Sequence, residues 1–167
     1  MRLTILNGPN LNLLGVREPH IYGSTTLASI KTSCEEFARF AGAQLSFHQS
    51  NHEGVLVDLI QSAREQADAI IINPAGYSFT SIAVLDALKT FEGPIIEVHI
   101  SNIHARDEHH RHSKLSSAAN PPFSQRPFLA VRSARRLASG MMRPRRPCAV
   151  IAADQAARAG SSIFLFC

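Results

Sequence analysis

No stretch of this chain approaches the roughly 18 consecutive apolar residues that a membrane-crossing helix needs. The first apolar run, RLTILN at Arg2–Asn7, goes straight into Gly8-Pro9-Asn10 instead of the cleavage pattern of a secretory leader. The expectation is a chain that stays in the cytoplasm and does not engage a membrane. Cysteine is scarce too: Cys34, Cys148 and Cys167 are an odd set of three without pairing or metal-like spacing. That argues against a disulfide framework and fits a reducing cytosol. Lysine is missing after Lys114, and after residue 120 the only acid is Asp154.

This last scarcity divides the charge. Residues 1–120 carry 9 Lys/Arg against 12 Asp/Glu, a net of −3, whereas residues 121–167 carry 8 Arg against 1 acid, a net of +7. The formal charge of +4 therefore belongs to the tail. Basicity says nothing of what the body binds, and nucleic acid is not an expected partner of it.

What is present suits one globular domain: 167 residues, 45% hydrophobic and 18% charged, are enough for a single core. Strands are expected at Arg2–Asn7, Gln44–His48, Ala69–Asn73 and Pro94–Ile100. Helical spacing covers Thr25–Ala41, with Leu27, Ile30, Cys34, Phe37 and Ala38 on one stripe and Gly42 beyond the end. It recurs over Gly54–Gln66, through Val55, Leu56, Leu59, Ile60 and Ala63, and over Ser81–Phe91. Asp68 and Pro74 bound the run AIIIN, which reads as a strand buried on both faces. Alternating strands and helices imply a parallel sheet with helices on both sides, and ligands bind such sheets beyond the carboxyl ends of the strands. The polar residues follow that rule: Asn7 and Asn10, His48 to Glu53, Asn73, and His99 to Arg106.

Three constellations carry possible chemistry. In the loop NLNLLGVREPHIYG, Arg17 lies near Tyr22; a phenol of pKa about 10 is a poor base at neutral pH, and a neighbouring guanidinium favours its phenolate. A solvent-facing Arg and a Tyr packing its ring on the loop fit the same residues. Glu97 and His99 share one strand face, so the carboxylate can fix the imidazole tautomer and leave His99 as a proton donor; a core histidine satisfied by backbone is the alternative. His104, His109, His110 and His112 have intervals unlike those of zinc ligands and read as loop histidines, so no metal is expected. Asn51 suits an N-cap, Asn73-Pro74-Ala75-Gly76 is turn chemistry, and Tyr77 has no evident partner.

Read together, ILNGPNLNLLGVREPHIYG, FHQSNHEG, IIINPAGYSFTS and EVHISNIHAR, in that order across residues 1 to about 113, resemble the type II 3-dehydroquinate dehydratases of the shikimate and quinate pathways. The resemblance implies a flavodoxin-like, doubly wound three-layer αβα fold. It also implies dodecamers built from trimers, a small-molecule substrate and no cofactor. By the same resemblance Tyr22 is the base, with Arg17 on the lid and Arg106 holding its phenolate; Asn10 positions a water at the enolate oxygen, and His99, oriented by Glu97, is the acid. Asn73, Asp86, Ile100 and Ser101 match substrate-contacting positions.

The departures are specific. Phe79 stands where many members have a substrate-contacting histidine, and His110 stands where an arginine is expected, unless Arg111 serves instead. After Ser113 the family's fifth apolar strand, Gly-rich turn and final helix are not evident in Ala119–Gln125, although 128–141 can form a basic helix and 149–153 a short strand. The expected organisation is a catalytic domain over 1–113 and a divergent Arg/Pro-rich tail over 114–167. Without a fifth strand, one sheet edge is exposed. An abrupt switch to Arg, Pro, Ser and Ala is also what an out-of-frame coding end produces. Two other readings stand beside the active lyase: a weakened homologue with an aberrant end, and a non-enzymatic module that binds through its basic tail.

Overall fold

The structure, a computed structural model, describes residues 1–16, 24–100, 103, 107–119, 123 and 124. Arg17, Tyr22, Ser101, His104 and Arg106, and the segments expected at 128–141 and 149–153, lie outside the described residues.

Among the described residues, five parallel strands form one sheet: β1 (Arg2–Asn7), β2 (Gln44–Gln49), β3 (Ala69–Asn73), β4 (Ile95–His99) and β5 (Phe123–Ser124), in the order β2-β1-β3-β4-β5. With α1 (Leu27–Phe40), α2 (Glu53–Gln66), α3 (Tyr77–Thr80) and α4 (Ile82–Lys89) between them, this is the flavodoxin-like α/β arrangement. Register pairs Asn7 with both Gln49 and Asn73, so three polar side chains stand level at the carboxyl edge. The fifth strand, which the sequence left open, is a two-residue ladder in which Val98 pairs Phe123 and His99 pairs Ser124.

Strand alternation sorts the core into two layers. Leu6, Ile70, Ile72 and Ile95 pack against Leu56, Ile60 and Ala63 of α2 and Val84 and Leu88 of α4. Leu3, Ile5, Ile71, Ile96 and Val98 face the other way, onto Cys34, Ile30 and Phe37 around α1. Burial drives the Cys34 thiol up to about 11, with the Glu35 charge adding to it. It behaves as a small core hydrophobe.

The helices begin and end where local chemistry dictates. Thr26 Oγ1 accepts from Ser29 N–H at 3.1 Å to start α1, and Gly42 follows its end at φ +64°. The helix expected over Ser81–Phe91 begins one residue later: Ser81 is the cap, its Oγ accepting from Val84 N–H at 2.8 Å, and α3 precedes it. Asn51 is not the cap of α2; His52 is, without a side-chain bond, because Asn51 is used elsewhere. Val55, expected in the apolar stripe of α2, is 43% exposed, and Val57 packs on the core in its place.

Candidate active site

The loops beyond the strands are tied together before any reactive group is considered. Gly8 N–H donates to Asn73 C=O at 2.8 Å, joining the turns after β1 and β3. A Cβ at Gly8 would stand 2.3 Å from the Pro74 carbonyl oxygen, so only glycine permits this approach. Asn7, buried at the end of β1, donates from Nδ2 to His48 C=O at 3.0 Å.

Asn51 is the hub of the next layer. Its Oδ1 accepts from Asn10 N–H at 3.0 Å and from Gln49 Nε2 at 3.1 Å, and its C=O accepts from the Tyr77 hydroxyl at 2.8 Å. Tyr77 thus has the partner that spacing could not name. Asn10 sits in the left-handed region at φ 65°, which asparagine tolerates; its amide group is exposed and unbonded among the described residues. Asn73 accepts from Ala75 N–H at 3.3 Å, a local turn that occupies Oδ1. Asn7, Asn73 and Ile100 line one cavity with Leu27 and Ile30 of α1, so two of the expected substrate contacts meet on that face of the sheet.

Glu97 and His99 leave β4 on the other face. His99 Nε2 lies 2.9 Å from Glu97 Oε1, with side-chain exposures of 6% and 0%. Ser113 Oγ donates to the same oxygen and Ser116 Oγ to Oε2 at 2.7 Å. Burial by itself raises the Glu97 pKa, but the hydrogen bond and charge of His99 and the two hydroxyls outweigh it, and the carboxyl is held below its ordinary value. An ionised carboxylate only accepts, so Nε2 carries hydrogen and Nδ1 is the nitrogen left for substrate. Nδ1 makes no hydrogen bond among the described residues.

Phe79 connects this pair to a second one. Its ring stacks on His99, with centroids 6.5 Å apart and planes at 22°, and meets His110 edge-on at 5.1 Å and 80°. His110 Nδ1 lies 2.7 Å from Asp107 Oδ2, an exposed pair. The Asp107 carboxyl is held below its usual range, first by that hydrogen bond. Asp86 is not brought to this group: it lies on the solvent face of α4, paired with Lys89 at 3.5 Å. Among the described residues no three His, Cys, Asp or Glu side chains are arranged to hold a metal ion. No described helix is long and apolar enough to cross a membrane.

The family model described as Dehydroquinase class II matches residues 1–124. The chain belongs to the class II dehydroquinase family. It is 58% identical over 115 residues to a 3-dehydroquinate dehydratase of Caulobacter vibrioides, covering 69% of this chain and 79% of that one. It is 56% identical to catabolic 3-dehydroquinase 1 of Fusarium vanettenii, over 69% of this chain and 80% of that one. Among solved structures, a type II dehydroquinase from Butyrivibrio crossotus superposes with a TM-score of 0.77 at 34% identity, covering 83% of this chain and 97% of that one.

Sequence reasoning missed four contributors to this edge: Ser113, Ser116, the hub role of Asn51, and Phe79 as the bridge between two histidines. The serines are 16 and 19 residues from Glu97 along the chain, and no local periodicity signals such a contact.

Proposed function

We propose that this chain dehydrates 3-dehydroquinate to 3-dehydroshikimate through an enolate. The observation that carries the reading is the Glu97–His99 pair, buried at the carboxyl end of β4 with Nε2 committed to the carboxylate, in a chain of the class II dehydroquinase family. Tyr22, as phenolate, takes a proton from the carbon next to the ketone, and the electron pair moves onto the ketone oxygen. Arg17 and Arg106 favour that phenolate electrostatically. Asn10, whose amide faces solvent at the edge, positions a water that hydrogen-bonds the enolate oxygen. When the enolate collapses it expels the hydroxyl, which takes the Nδ1 proton of His99 in its doubly protonated form and departs as water, leaving the ring neutral with its remaining hydrogen on Nε2 against Glu97.

Asn73, Ile100 and Ser101 take the substrate's hydroxyl and carboxylate groups, the backbone amides of the last two suiting an anion. His110 stands where an arginine is expected and Phe79 where many members present a histidine, so unless Arg111 serves instead, substrate is held here with one fewer fixed positive charge. Asp86, exposed on α4 and paired with Lys89, matches a substrate-contacting position by resemblance alone, and the assembly is a homo-oligomer, a dodecamer by resemblance. The reaction requires no metal or organic cofactor, and the cytoplasm is its compartment.

The test is the ultraviolet absorbance of the conjugated enone when the purified full chain meets 3-dehydroquinate, with Tyr22→Phe and His99→Ala beside it. Absorbance that rises with the parent chain and fails with both variants supports the reading. A folded parent chain that leaves 3-dehydroquinate unchanged overturns it.

A further inference from the structure

The proposed reaction gives Glu97 and His99 their roles, but does not say what fixes Glu97. It is fully buried, and a carboxylate there needs every lone pair that faces protein to be met. The described donors are three: His99 Nε2 at 2.9 Å and Ser113 Oγ on Oε1, and Ser116 Oγ at 2.7 Å on Oε2. We infer that Ser113 and Ser116 are positioning residues, a two-hydroxyl clamp that holds the Glu97 carboxylate in the one orientation from which it can orient His99 for proton transfer. The inference rests on the proposed acid role of His99.

The clamp has its own anchors. Ser113 has a single hydroxyl hydrogen, and its other oxygen contact, Ser78 C=O, is 3.5 Å away; the proton therefore goes to Glu97. Ser113 Oγ meanwhile accepts from Leu115 N–H at 3.2 Å, which sets its rotamer. Lys114 N–H donates to Ser78 C=O at 2.8 Å, docking the segment on α3. Leu115, with no exposure, is buried among the residues between α2 and α4 and fixes the short 3-10 turn Leu115–Ser117 that presents Ser116. Two hydroxyls on separately anchored residues grip the two carboxylate oxygens, so the plane of the group cannot turn. A single donor would leave it free to rotate and would let His99 lose its Nε2 acceptor.

The experiment uses the full chain and its Ser113→Ala, Ser116→Ala, double and Ser116→Thr variants, each also made in a Glu97→Gln background, with kcat and KM for 3-dehydroquinate. Each alanine variant is expected to lower kcat roughly 10-fold and the pair up to roughly 100-fold, the usual range for an outer-shell partner, with KM changed less than about 2-fold. Ser116→Thr, which keeps the hydroxyl, is expected within about 3-fold of the parent, and in Glu97→Gln the alanine variants add less than about 2-fold because the group they position is already gone. Parent-like kcat in both alanine variants, or losses undiminished in the Glu97→Gln background, overturns the clamp. Should Ser113→Ala not fold, the half-buried Ser116 pair decides alone. Turnover is not the only readout: nitrogen NMR of the His99 ring, recorded in alkaline buffer where the ring is neutral, is expected to show the Nε2–H tautomer in the parent and a tautomer mixture in the double alanine variant, and an unchanged ring overturns the clamp. If the function reading fails instead, the parent and His99→Ala are equal in turnover while the ring signal still reports on the serines.

Discussion

Two carboxylate–imidazole pairs flank the same phenyl ring. His99 Nε2 lies 2.9 Å from Glu97 and His110 Nδ1 2.7 Å from Asp107, and Phe79 contacts both imidazoles. By distance the second pair is the better one. The difference is solvent: side-chain exposure is 6% and 0% in the first pair, and 44% and 60% in the second. Water competes for every donor and acceptor of Asp107–His110 and screens its charge. Glu97 has no such alternative and must be met by protein groups, which is why two serines accompany it. Geometry makes a contact, but burial decides whether the contact is obligatory.

Substitutions at the two pairs separate them. His99→Ala removes the proposed general acid and is expected to lower kcat about 100- to 10,000-fold, read by enone absorbance. Glu97→Ala leaves an imidazole nitrogen and two hydroxyls without their acceptor, and chemical denaturation is expected to show a loss of about 3 kcal/mol. Acid sharpens the contrast. The Glu97 carboxyl is depressed from its ordinary 4.5, so the folded protein binds that proton less readily than the unfolded chain. Its contribution is complete above the unfolded value and is lost as pH falls below it through the folded value. Glu97→Gln should therefore flatten the fall of stability below about pH 4.5, measured as denaturation midpoints across pH.

Phe79→Ala removes one stacked and one edge-on ring contact, with an expected cost of about 1 kcal/mol, while Phe79→His restores a polar group where many members carry one and is expected to lower KM a few-fold. Asp107→Asn should be the mildest change. It leaves the denaturation midpoint at physiological salt unmoved, and any effect is confined to KM and fades as salt is raised.

Much of the sheet was legible because local chemistry wrote it. β3 shows as an apolar run because a strand covered on both faces needs no polar alternation, and its bounds, Ala69 and Asn73, are those of the sequence reading. The turn chemistry after Asn73 and the glycine after α1 were legible for the same reason. Asn51 suits a cap by residue type, but the choice falls to Asn10 and Tyr77, which approach it from two distant segments, and to Gln49 two residues before it. The Glu97–His99 pair was visible because two residues apart on a strand means one face. Its serines were not, since the chain returns to Glu97 only after 16 residues.

By itself the sequence determined the alternation of the first four strands with their helices, a sheet covered on both faces, and the family, because periodicity, punctuation and ordered motifs are local or linear properties. Tertiary structure alone decided which polar groups are deprived of water and which distant hydroxyls replace it. Those are properties of closure: a carboxylate becomes buried, and its hydrogen bonds obligatory, only when segments far apart in the chain pack over it.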